Sequence, residues 1–189
     1  MNKVLIVAHP DDEILFFSSI LKEVDKIIIC YNASNSKLIT DGRKKLQDQY
    51  PLANIEWLNF DESDVWDEAN WNKPVIKDYG ISVDRNETIH RETFNNFCKI
   101  FNSMLAPFDV IYTHNPWGEY GHEEHVCLFN AVLNSVRDMN KKLFVSCYIS
   151  DRSRKLFFLQ KHLIQGEVQI REVPKELCLQ IKSLYVENN

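Results

Sequence analysis

Residues 1–21 read MNKVLIVAHPDDEILFFSSIL. Val4 through Ala8 form an unbroken aliphatic run closed by Pro10, the pattern of a strand buried on both faces of a parallel sheet. A histidine and three carboxylates follow: His9, Asp11, Asp12 and Glu13. Proline followed by acids suits a helix N-terminus, where the missing N–H is no loss and negative charge meets the positive end of the helix dipole. The same letters also describe half of a metal site. The stretch therefore predicts a strand, a turn, and a helix over residues 14–24 packed through Ile14, Phe17, Ile20 and Leu21.

At 189 residues, 44% apolar and 26% charged, the chain has the proportions of one globular domain, expected to span 1–189. A formal net charge of -5 without a Lys/Arg cluster argues against a nucleic-acid partner. The five cysteines are scattered with no CxxC pair, as suits reduced thiols in a cytoplasmic protein rather than a disulfide framework or a thiolate zinc site. The apolar run at residues 4–8 is too short for a signal-peptide core and far too short to cross a bilayer, so no transmembrane segment is expected.

Working outward, residues 26–31 (KIIICY), 54–60 (NIEWLNF), 109–113 (DVIYT) and 143–149 (LFVSCYI) read as further strands. Helical patterns lie at 40–50, 84–105, 127–139 and 175–186; the clearest is 84–105, with Asp84 as its expected cap and Glu87 reaching back. Strands alternating with helices predict an α/β fold with a doubly wound, mainly parallel, Rossmann-like sheet flanked by helices. Residues 61–79 lack a clean period and read as a long loop carrying Trp66 and Trp71. The plainer expectation is that both rings anchor the loop to the body. The alternative is a lid or a sugar-stacking platform.

In such a sheet, ligands gather beyond the carboxyl ends of the strands. His9, Asp11 and Asp12 occupy that place after the first strand. A second cluster, THNPWGEYGHEEHVCLF at residues 113–129, reaches the same rim and brings His114, His122 and His125. His122 and His125 are spaced to share a face of a helical turn. The clusters together could make a three-ligand His/Asp/His site with an open position for water, as catalytic zinc requires, and a spare carboxylate as general base. Taken singly, PDDE is also an ordinary helix start, and HxxH two solvated histidines.

AHPDDE at residues 8–13 resembles the signature of the LmbE/PIG-L family of metal-dependent N-deacetylases, and GEYGHEEH at 118–125 resembles that family's second motif. GRKKL at 42–46, WLNFD at 57–61, and the loose set Lys155, Leu159, His162 and Gln165 are similar to its weaker patterns. The resemblance implies His9, Asp12 and His125 as ligands of Zn2+, with another divalent metal such as Fe2+ as the alternative. It implies Asp11 as general base, His122 as a histidine that stabilises the transition state when protonated, and Tyr120 as a donor to the oxyanion. Arg43 and Asp61 fall where relatives contact the substrate. His114 stands where relatives often have Asp, and is open to three readings: a competing ligand, a substrate contact, or a strand-end histidine bonded locally. Glu124 replaces the Asp that orients the catalytic histidine, so a longer side chain must rebuild that support. Glu13 is expected to be structural, and His90 and His162 to be packing or surface residues.

The activity implied is hydrolysis of the acetamide of an N-acetylated amino sugar, such as a GlcNAc-type conjugate or nucleotide-linked sugar, to a free amine and acetate. The alternatives are a non-catalytic carbohydrate-binding relative and an amidohydrolase of a non-sugar N-acyl substrate. The expected partner is thus a small molecule, and a homo-oligomer is compatible with this reading.

Overall fold

The computed structural model describes residues 1–166 and 168–188. At its centre lies β1 (Lys3–Val7), in which Val4 through Val7 are wholly buried, as the aliphatic run demands. It pairs in parallel with β2 (Lys26–Ala33) on one side and β6 (Val110–Thr113) on the other. Beyond β2 lies β3 (Ile55–Asp61), and beyond β6 lies β7 (Lys142–Val145), both again parallel. The strand order is therefore β3-β2-β1-β6-β7. Winding reverses between β1 and β6, which opens a crevice beyond their carboxyl ends.

Alternate residues of the sheet build two cores. On one face Val4, Ile6, Ile28 and Ile111 pack against α3 (Glu87–Met104) and α4 (Glu123–Val136) through Phe97, Phe101, Leu128 and Val132. On the other, Leu5, Val7, Ile27 and Ile29 pack against α1 (Asp12–Phe17) and α6 (Lys175–Asn188) through Phe17, Leu177 and Ile181. Each fully buried Phe, Leu or Ile contributes roughly 1.5–3 kcal/mol. Against α6 lies α2 (Lys37–Gln49), capped by the Ser36 hydroxyl, which accepts from the Ile39 N–H.

Several boundaries differ from expectation. Helix α4 begins at Glu123 rather than residue 127, because its first turn is polar yet buried and so hides from an apolar pattern. Helix α3 starts after Asn86, which is in the left-handed region and makes no side-chain cap bond, rather than after Asp84, whose N–H instead donates to the Glu68 carbonyl. Helix α1 stops at Phe17 and tightens into a 3-10 turn at Ser18–Ile20. Strand β7 ends at Val145, and the following residues run irregularly. The expected loop holds β4 (Ile76–Lys77), which pairs antiparallel with β5 (Gly80–Ile81) just beyond the loop's end, and a helix not anticipated, α5 (Arg154–Gln160), follows β7. Among the described residues no helix is long and apolar enough to cross a membrane.

Candidate metal centre

The turn between β1 and α1 is closed by its own residues. The His9 N–H donates to Asp12 Oδ2 at 2.7 Å, which fixes the carboxylate against the imidazole that precedes it. Asp11 sits between them with φ 95, a left-handed conformation that a non-glycine residue adopts only when its surroundings hold it there. They do. The Asp11 N–H donates to Glu13 Oε2 at 2.9 Å and to the Tyr185 hydroxyl at 2.6 Å. Tyr50 and Tyr185 each donate to Glu13 Oε1 at 2.8 Å. Glu13 is thus structural, as expected, and burial raises its carboxyl to about 7 despite these donors.

The opposite rim is built by the loop from His114 into α4. Glu119 is its organiser, a fully buried carboxylate accepting from His114 Nδ1 and His125 Nδ1, each at 3.0 Å. It also accepts from the Asn115 N–H and from the Ser146 hydroxyl. Burial works against its charge, but His114 and His125 outweigh burial and bring Glu119 to about 2. Gly118 (φ +67) lets the loop pass, since a Cβ there would lie 2.6 Å from the His122 carbonyl oxygen.

These carboxylates decide which ring nitrogens are free. A carboxylate only accepts, so the nitrogen facing it carries the proton. His125 Nδ1–H faces Glu119, leaving the Nε2 lone pair. His9 Nε2–H faces Glu124 Oε2 at 2.8 Å, leaving Nδ1. The freed nitrogens, His9 Nδ1 and His125 Nε2, lie 3.3 Å apart, and Asp12 Oδ2 lies 3.4 Å and 3.2 Å from them. Three donors bound to one tetrahedral ion at about 2.0–2.1 Å would be about 3.3–3.4 Å apart. The triangle fits a divalent cation in size and chemistry. Two lone pairs facing each other favour a cation between them. Although burial opposes the charge, Asp12 and Glu124 together raise His9 to about 10. Burial likewise opposes charge on Asp12, but His125 and His114 hold it well below the carboxylate range.

Asp11 and His122 flank this triangle. Burial, then the charge on Asp12, push Asp11 up to about 6. Asp11 opens onto a cavity of about 200 Å³ that Arg43 and Tyr185 also line. His122 caps α4; its Nδ1 accepts from the Glu124 N–H at 3.2 Å, which leaves Nε2 as the nitrogen able to donate. Burial and the neighbouring His9 and His125 lower its pKa well below the ordinary value. His122 stacks on His125, the ring centroids 4.6 Å apart, and Tyr120 stands beside both.

Two expectations are corrected, and His114 is bonded locally at its strand end. His114 is 0% exposed; its Nε2 accepts from the Ala8 N–H at 3.0 Å and its Nδ1 faces Glu119, so it ties β1 to β6 and offers nothing to a substrate. Burial opposes and Glu119 and Asp12 favour charge on that ring, but the Ala8 donor keeps Nε2 unprotonated. Asp61 is exposed, and its neighbour Glu62 turns inward instead, pairing with Arg43 at 2.7 Å and lying 3.8 Å from His9 Nε2. The cause is an irregular stretch of β3 where Asn59 has φ 55, shifting which side chains face the crevice. Glu124 does not support the His122 ring; it bridges His9 Nε2 and the Ser63 N–H, the latter at 2.5 Å. Glu119, Glu62 and Ser63 were not singled out from the sequence, and only the carboxylate between two histidine clusters was a usable signal for Glu119.

Residues 4–136 match the family described as PIG-L: GlcNAc-PI de-N-acetylase. Uncharacterized protein L374 of Acanthamoeba polyphaga mimivirus is 28% identical over 207 residues, covering 100% of this chain and 81% of that protein. Among solved structures, the conserved protein TT1542 from Thermus thermophilus is similar at 14% identity with a TM-score of 0.40. That similarity covers 80% of this chain but 64% of the other, under two thirds of its length.

Proposed function

The chain belongs to the PIG-L (GlcNAc-PI de-N-acetylase) family, and from that premise we propose that it is a metal-dependent N-deacetylase that hydrolyses the acetamide of an N-acetylated amino sugar to a free amine and acetate. The observation that carries this reading is the triangle of His9 Nδ1, Asp12 Oδ2 and His125 Nε2, with Asp11 and His122 on its flanks. These three residues would hold the cation, zinc by the nature of the donors, with Fe2+ accepted by the same set.

A cation held there supplies Lewis-acid polarisation of the amide carbonyl and lowers the pKa of an adjacent water. The Asp11 carboxylate takes that water's proton. Burial, which raises the pKa of this carboxyl, favours its keeping that proton. The water oxygen adds to the acetyl carbon, the C–N bond breaks, and the proton on Asp11 passes to the departing amine nitrogen. His122 Nε2–H and the Tyr120 hydroxyl donate to the carbonyl oxygen as it gains negative charge, each worth a few kcal/mol. Arg43, whose Nη1 has no partner among the described residues, is placed to bind a polar group of the substrate.

Metal analysis and acetate release from a panel of free, glycosidic and nucleotide-linked N-acetyl amino sugars test the proposal. The purified protein is expected to hold a divalent metal and to release acetate from at least one of them. A metal-loaded protein that released none, and bound the sugars identically after Asp11→Asn, would instead be a carbohydrate-binding relative.

A further inference from the structure

Trp66 and Trp71 lie on one excursion of chain and meet opposite fates. Trp71 is 7% exposed, its Nε1–H donates to Glu123 Oε1 at 2.9 Å, and it packs with Ile81, Trp117 and Leu156. Trp66 is 50% exposed at the mouth of the metal centre, its ring 4.8 Å from His122 and 5.8 Å from Tyr120. Leaving half an indole in water forgoes burial that the fold has the means to provide, as Trp71 demonstrates.

Trp66 is also held there. The Arg152 guanidinium carbon lies 4.8 Å from its ring centre and 5.3 Å from that of Trp71, so one cation braces both rings. Arg152 is fixed in turn by Asp67 at 2.7 Å and Glu123 at 3.4 Å. Gly121, at φ +95, makes room for it, because a Cβ there would stand 2.8 Å from Arg152 Cγ. The aromatic surface continues from Tyr120 to Phe16, centroids 6.0 Å apart, and from Phe16 to Tyr148 at 5.8 Å. A rigid, half-exposed indole braced from behind and set beside a reacting centre is a surface prepared for an apolar ring face.

We propose that Trp66, positioned by Arg152, is the wall against which a cyclic substrate packs the C–H face of its ring, selecting pyranosides over acyclic N-acetyl amines. The inference rests on the deacetylase reading of the site and adds to it a specificity-determining contact. Arg152 touches no substrate in this scheme; it is a positioning residue.

The test compares N-acetylglucosamine with acyclic N-acetylethanolamine on the metal-loaded protein, by acetate release and by quenching of tryptophan fluorescence. Trp66→Ala is expected to raise KM for the sugar about 10- to 30-fold, and for the acyclic amide less than about threefold. Trp66→Phe should recover most of the loss, and Arg152→Met should raise the sugar's KM by an intermediate factor, leaving kcat nearly as it was. Equal losses on both substrates, or none on either, would overturn the wall while the deacetylase reading stood. Should neither compound be hydrolysed, sugar-induced quenching in the native protein that disappears in Trp66→Ala upholds the wall, and acetate release from the conjugated sugars decides the hydrolase separately. Absence of that quenching overturns the wall.

Discussion

The two rims of the candidate metal centre are built by different means. The β1–α1 rim is local: His9, Asp11, Asp12 and Glu13 are contiguous, and the first bond that shapes it runs from the His9 N–H to Asp12. The β6–α4 rim is assembled from a distance, with Glu119 holding two histidines and Glu124 spanning to His9 and to Ser63 on another loop. The first rim supplies two of the three candidate ligands and the proposed base. The second supplies one ligand and the carboxylates that fix which nitrogens the histidines present. Contiguous residues can specify a ligand set, but its protonation pattern is specified by residues that only the fold brings near.

Breaking the local rim is expected to have the largest effect. Asp11→Asn should lower kcat by about 10²–10⁴-fold with the metal retained, as single-turnover acetate release and metal analysis on the same sample would show. Breaking the distant rim should instead appear in the metal. Glu119→Gln or Glu124→Gln is expected to weaken metal affinity about 10- to 100-fold, measured by competition with a chelating dye. If Glu119→Gln removed turnover without touching metal affinity, the division of labour between the rims would fail.

The same comparison fixes a pH dependence. His9 must lose the proton held at its ligand nitrogen before it can bind a cation, and that proton leaves the metal-free site only near 10. Metal affinity should therefore climb about tenfold per pH unit between roughly pH 6 and 8, with about one proton released per ion, seen by calorimetry in buffers of different ionisation enthalpy. An affinity flat across this range would show that the proton does not occupy the cation's place.

Much of the first rim was legible, and the reasons are physical. A wholly buried strand writes itself as an aliphatic run, so β1, β2 and β6 could be located from composition alone. Helix α4 could not be, because Glu123, Glu124 and His125 are buried polar residues and an apolar pattern starts only after them. Glu62 was missed in favour of Asp61 because the left-handed Asn59 upsets the alternation of β3 that a strand pattern assumes. The excursion after β3 was read as one loop with one fate for its tryptophans. Two-residue strands leave too few alternations to detect, and which ring is buried depends on Glu123 and Arg152, far along the chain.

An effect on stability rather than turnover concerns His90, a buried packing residue whose two nitrogens have no partner among the described residues. Burial lowers it from 6.5 to about 4, so the unfolded chain takes up a proton in that window while the folded chain does not. Its contribution is intact above about pH 6.5 and is lost as pH falls toward 4, by on the order of 3 kcal/mol in all. His90→Leu should change stability at pH 7 by no more than about 1 kcal/mol and flatten the acid limb, as urea titrations across pH would reveal.

Tyr185 lies on the last helix, yet its hydroxyl meets the backbone of Asp11, near the other end of the chain. Translation proceeds from the N-terminus, so the ribosome releases the metal-binding turn early and the group that braces it late. Until α6 docks, nothing from that helix restrains the left-handed Asp11, and a nascent chain carries the candidate ligands without a finished base. The geometry of the candidate site thereby depends on a helix made long after its turn. Tyr185→Phe, which docks the helix but omits the hydroxyl, is expected to keep the metal and lose about three- to tenfold in kcat. Unaltered turnover in that variant would show that the helix docks for stability alone.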